Sequence, residues 1–122
     1  MDKEIKDLLL RDLSARLPYE VKVQVFNCGV ESVETLYQID LDGYIYTLEC
    51  DELKYYYKPY LFPMSSMTEE QKKEWLSLMV SDSHGILYHT IESFDYLYKN
   101  HIDFRGLIEK GLAENATGKN IY

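Results

Sequence analysis

The sequence predicts an α+β fold: an N-terminal helix, a three- to four-stranded antiparallel meander, then two or three C-terminal helices. Two changes of hydrophobic period carry that prediction. Apolar residues recur at spacings of three and four before Pro18, alternate from Val21 onward, and return to helical spacing after Thr68. At 122 residues, with 46% apolar and 28% charged, the chain has the length and composition of one folded domain spanning 1–122. It contains no linker, repeat or low-complexity stretch.

Residues 2–17 read as an amphipathic helix capped by Asp2, with Ile5, Leu8, Leu9, Leu13 and Leu17 on its apolar face. Asp12 and Arg16 fall on the flank of that stripe, and Pro18 ends the helix. Val21, Val23 and Val25 then mark the buried face of a strand, followed by a loop at Asn27, Cys28 and Gly29. Strands at about 33–41 and 44–49 flank Asp42-Gly43, a pair suited to a two-residue type I′ turn. Such a turn sets Leu41 opposite Tyr44, Ile39 opposite Tyr46 and Tyr37 opposite Leu48 on the core face. Asp40 with Ile45, Gln38 with Thr47 and Leu36 with Glu49 are then expected on the wet face.

Residues 53–61 admit two readings, a fourth, edge strand ended by Pro59 or a helical turn. Pro63 to Met67 read as a loop. Thr68 and Gln71 form a capping box that opens a helix with Trp75, Leu76, Met79 and Val80 on its apolar face. A break at 81–85 precedes a helix expected over 86–98, with Leu87, Ile91, Phe94, Leu97 and Tyr98 on one side. A turn at 100–103 leads to a short helix over 104–110 with Gly111 as its left-handed exit. At the end of the tail, Ile121 and Tyr122 either dock or fray.

Thirteen basic against 21 acidic residues give a net charge of −8. That balance lacks the basic stripe of a nucleic-acid binder, so no direct nucleic-acid binding is expected. No apolar run approaches the ~20 residues of a membrane span, and the opening MDKEIKD is too acidic for an export signal. A cytoplasmic protein with free thiols at Cys28 and Cys50 is the expectation. His84, His89 and His101 lack metal-ligand spacing, and no nucleophile elbow or phosphate loop is present. Carboxylate pairs such as Asp51/Glu52 and Glu69/Glu70 suit a loop and a helix N-terminus. Neither a catalytic set nor a cofactor or metal site is legible.

The twelve tyrosines are the unusual feature. Tyrosine joins rigid contact area to a polar handle, which suits interfaces; it also replaces phenylalanine on half-buried strands. The candidate contact set is Tyr55, Tyr56, Tyr57 and Tyr60, supported by Arg105. Arg105 reads first as an internal ion pair anchoring a turn, and second as an anion or partner contact.

Three segments carry a family resemblance: Arg16-Leu17-Pro18-Tyr19; Lys58-Pro59-Tyr60-Leu61 through Pro63-Met64-Ser65-Ser66-Met67-Thr68-Glu69-Glu70; and Asp103-Phe104-Arg105-Gly106-Leu107-Ile108-Glu109-Lys110-Gly111-Leu112-Ala113. Together the chain resembles a family of small uncharacterised proteins from gut Bacteroidales genomes, many carried on phages and mobile elements. It departs at Phe104, where the family carries tyrosine, so no hydroxyl role carries over there. The resemblance implies a bacterial or phage cytoplasmic setting and no activity. The expected function is a non-enzymatic interaction module binding a protein partner or a second copy, in a sharper form a phage or mobile-element modulator of a host factor. The alternative is a small-ligand binder or enzyme, with a cleft between sheet and C-terminal helices where Arg105 and a histidine meet an anion.

Overall fold

In the computed structural model, which describes residues 3–27, 30–54 and 57–122, one helix lies against a mixed sheet and two short helices follow. The expected cap at Asp2 and the thiol of Cys28 lie outside the described residues. Helix α1 (Lys3–Arg16) runs into a 3₁₀ turn at Leu17–Tyr19 that accommodates Pro18 in its first turn. Leu9 and Leu13 of α1 are buried, and Ile5, Leu8 and Leu17 pack around them.

Strands β1 (Lys22–Asn27), β2 (Val30–Ile39) and β3 (Ile45–Thr47) form the expected antiparallel meander, and β4 (Cys50–Lys54) extends it where a loop is expected at Asp51 and Glu52. Val21, Val23 and Val25 have no exposed surface, as their alternation predicts. β5 (Tyr57–Pro63) continues the sheet on the other side of β1, giving the order β4-β3-β2-β1-β5-β8. The last of these is β8 (Ile102–Asp103), and β9 (Glu114–Asn115) also pairs with β5; both run parallel to it.

The expected register of the β2–β3 hairpin is overturned. Ile39 pairs with Ile45, Gln38 with Tyr46 and Leu36 with Thr47, across a bulge between Leu36 and Gln38. The loop has three residues, not two. The Asp40 carbonyl accepts from the Gly43 N–H at 3.0 Å, the Asp40 N–H donates to the Tyr44 carbonyl at 3.0 Å, and Gly43 has φ +87°. This is a type I turn closed by a left-handed glycine. One extra loop residue slips the pairing by one, and a slip of one exchanges the faces. Leu36, Ile45 and Thr47 are therefore buried, while Tyr37, Leu48 and Tyr44 are exposed and Leu41 is 90% exposed. The bulge returns Ile39 to the core, against which it packs half-buried.

Residues 57–63 are a strand, and an internal one. Pro59 does not end it but sits within it opposite Val23, fully buried. The parallel neighbours of β5 begin at Tyr60, so no bond to them is asked of the proline, which has no N–H to give.

A 3₁₀ turn at Met64–Ser66 leads to α2 (Glu69–Ser77), whose Thr68–Gln71 capping box forms in both directions. No residue of α2 is fully buried, because the helix lies on the surface with Trp75 half-covered. The helix expected over 86–98 is shorter. Strands β6 (Val80–Ser81) and β7 (Leu87–Tyr88) form a hairpin first, and α3 (Ile91–Lys99) starts at a second capping box, Thr90 with Ser93. Residues 104–110 hold a single turn, not a helix. Asp103 accepts from the Leu107 and Ile108 N–H groups, both at 2.9 Å. The Leu112 N–H already reaches back to the Leu107 carbonyl and the Gly111 N–H to Ile108, closing the turn as a Schellman motif.

Candidate interaction surface

Tyr55 and Tyr56 lie outside the described residues. Tyr57 is only 8% exposed, and its hydroxyl donates to the Gly43 carbonyl at 2.8 Å, tying β5 to the β2–β3 turn. Burial, with Asp40 adding to it, pushes the phenol up to about 12. Tyr60 is also buried, with the Lys119 ammonium 5.8 Å from its ring centre. The fold thus uses both rings.

Arg105 is drawn to Asp12 of α1 and to Tyr98, and makes no contact of this kind with Tyr57 or Tyr60. Its guanidinium donates to Asp12 at 3.0 Å and to the Tyr98 hydroxyl at 3.1 Å, and it lies 4.5 Å from the Phe104 ring centre. Asp12 is shared. Arg16, with no exposed surface, donates to it through Nε at 2.8 Å and Nη2 at 3.2 Å, and Nη2 also reaches the Ile102 carbonyl at 2.7 Å. Residues of all three resemblance segments meet here: Arg16 beside Phe104, and Pro63 paired with Asp103. Internal architecture accounts for their spacing. The helix stripe left Asp12 and Arg16 on a flank because the layer covering them comes from residues 98–105, about 90 positions later.

Besides Val30, Val33, Tyr37, Leu41, Tyr44 and Leu48 on and beside β2 and β3, exposed apolar side chains surround a second hairpin, at Leu76, Val80, Ile86, Leu87, Tyr88 and Ile91. These residues span β6, β7 and the helix ends they join. The hairpin is built, not frayed. Asp82 accepts through one carboxylate oxygen from the His84 and Ile86 N–H groups at 2.8 and 3.0 Å, and through the other from the Tyr88 hydroxyl at 3.0 Å. Those donors, the Ile86 N–H foremost, hold the Asp82 carboxyl below its ordinary value. Thr90 fastens the arm at its base by donating to the Leu78 carbonyl at 2.6 Å. Helical spacing concealed this surface by placing Leu87 and Ile91 on a buried face. The signal that finds it is Asp82-Ser83-His84-Gly85, a type I turn with aspartate first and glycine fourth.

A separate cleft of about 380 Å³ opens between the sheet end at Phe62, the 99–102 segment and the chain's last residues. His101 lines it; Arg105 does not. Among the described residues no group of three or more metal-ligating side chains is present, and no helix is long and apolar enough to cross a membrane. No protein-family model matches the chain, and neither the curated proteins nor the solved structures yield a match.

Proposed function

We propose that this chain is a non-enzymatic protein-interaction module whose docking surface is the β6–β7 hairpin with the helix ends beside it. The observation that carries the reading is that Val80, Ile86, Leu87 and Tyr88 are all exposed on one short hydrogen-bonded arm, with exposed Leu76 and Ile91 on the helices at its base. Clustered exposed apolar side chains on an ordered scaffold mark association sites, whereas scattered ones do not. Between 69 and 95 there are six carboxylates (Glu69, Glu70, Glu74, Asp82, Glu92, Asp95) and two lysines (Lys72, Lys73). The partner surface this favours is therefore an apolar patch rimmed by lysine or arginine. The family resemblance favours a bacterial or phage cytoplasmic setting, and the sharper form of this proposal is a phage or mobile-element modulator of a host factor.

The test is capture from host lysate by wild-type protein, an Ile86→Ser/Leu87→Ser variant and a Tyr55→Ser/Tyr56→Ser variant, each confirmed folded. One protein retained by wild type and by the tyrosine variant, and lost from the hairpin variant, supports this surface. Loss only from the tyrosine variant moves the interface to the segment joining β4 and β5. Equal capture by all three overturns both. Sedimentation of the same proteins identifies a second copy as the partner if wild type dimerises and the hairpin variant does not.

A further inference from the structure

We propose that the cleft beside His101 binds a small oxyanion, a carboxylate or phosphate group carried on a flat or apolar body. The argument begins with charge. Acidic residues outnumber basic ones 21 to 13 in the chain, yet none of the ten residues lining the cleft has a carboxylate side chain. Lys99 stands at its edge and makes no ion pair among the described residues. Lys99 is thus the one formally charged side chain that lines the cleft, and a concave site focuses the field of such a charge on the opposite ion.

The second observation is an unsatisfied group at the cleft. His101 is turned by a left-handed backbone (φ +59°), and its ring stacks on Tyr122 with centroids 3.7 Å apart. Its Nδ1 is buried and has no hydrogen-bond partner among the described residues. A buried polar nitrogen left open is costly, so an oxyanion that accepts from it as the N–H tautomer gains more than a surface lysine alone would give. The rings of Phe62 and Tyr122, 5.8 Å apart, form the apolar wall for the ligand's body.

The experiment is a titration of the full chain followed by amide chemical shifts, with inorganic phosphate, phenyl phosphate and benzoate as probes. Saturable shifts confined to Lys99–Ile102 and Thr117–Gly118 are expected, with the two aromatic anions binding more tightly than phosphate. Lys99→Gln should weaken binding by about fivefold, the effect of one lost charge contact. Lys119→Gln, a lysine outside the cleft, should leave it unchanged. Lack of saturation with every probe up to about 20 mM, a concentration corresponding to negligible affinity, overturns the proposal. So do shifts spread over the surface, or an equal loss in Lys119→Gln, which mark unspecific ion attraction. The hairpin variant Ile86→Ser/Leu87→Ser should bind the probes as wild type does, which separates this site from the docking surface.

Discussion

Asp40 and Asp82 occupy the same position in two copies of one turn. Asp40 accepts through one carboxylate oxygen from the Asp42 and Tyr44 N–H groups, as Asp82 does from His84 and Ile86. In each turn the aspartate carbonyl also accepts from the glycine three residues on, at 3.0 and 3.1 Å. Gly43 and Gly85 both adopt positive φ, +87° and +80°. The first copy sets which face of the main sheet is buried, and the second holds out the arm assigned to docking.

The two glycines should therefore respond differently to alanine. At either position the added Cβ meets little or nothing, its nearest neighbour at Gly43 being Lys6 Cγ at 3.9 Å, so the cost is backbone strain. Gly43→Ala should lower global stability by about 1 to 2 kcal/mol, the penalty of a left-handed residue with a side chain. Gly85→Ala should instead speed amide exchange at Asp82 and Ile86 while the urea midpoint barely moves, because the arm opens on its own. Equal midpoint shifts in both variants would show that the arm unfolds with the sheet.

The same turn explains what was legible in the sequence. Burial of Val21, Val23 and Val25, the α1 stripe and the Thr68 cap followed from residues close in the chain. The hairpin face did not, because Asp42-Gly43 suits a two-residue loop while Asp40 to Gly43 suits a three-residue one. A carboxylate two residues upstream decided between them. Residues 53–61 were ambiguous for a related reason: β5 is stabilised by β8 and β9, whose two-residue pairings come from positions 102–103 and 114–115. Strands that short have no period to read.

Asp12 and Arg16 should show strong non-additivity. Asp12→Ala leaves the buried Arg16 guanidinium with only the Ile102 carbonyl as acceptor and should cost on the order of 3 kcal/mol. The double variant Asp12→Leu/Arg16→Met, which removes the charges together and puts apolar side chains in their place, should be less destabilised than that single one. Urea unfolding of the cycle decides it. A double variant at least as unstable as Asp12→Ala would mean that Arg16 contributes more through its contacts with Tyr98 and Phe104 than through its charge.

Tyr122 docks, and its hydroxyl bridges two strands. It accepts from the Lys22 N–H at 2.8 Å and donates to the Tyr60 carbonyl at 2.7 Å, joining β1 to β5. Tyr122→Phe keeps the ring on His101 but leaves both backbone groups without that bridge, so a loss of about 1 kcal/mol is expected. Tyr122→Ala removes the stacking as well and should cost more. A phenylalanine variant as stable as wild type would show that solvent replaces the bridge without loss.

His101 makes stability depend on pH in a direction opposite to that of a paired histidine. Burial, and then the Arg16 charge, lower its pKa from 6.5 to about 4. Between those values the unfolded chain binds the proton and the folded one does not, so acidification favours unfolding. The contribution is fully present above pH 6.5 and is lost progressively as the pH falls toward 4. The slope in that window should approach at most about 1.4 kcal/mol per pH unit. His101→Asn, a residue that accepts the left-handed backbone, removes the titrating group. The difference in unfolding free energy between wild type and His101→Asn should be flat above pH 6.5 and shift steadily against wild type below it. A difference that stays constant across the window would mean that the imidazole titrates as freely folded as unfolded.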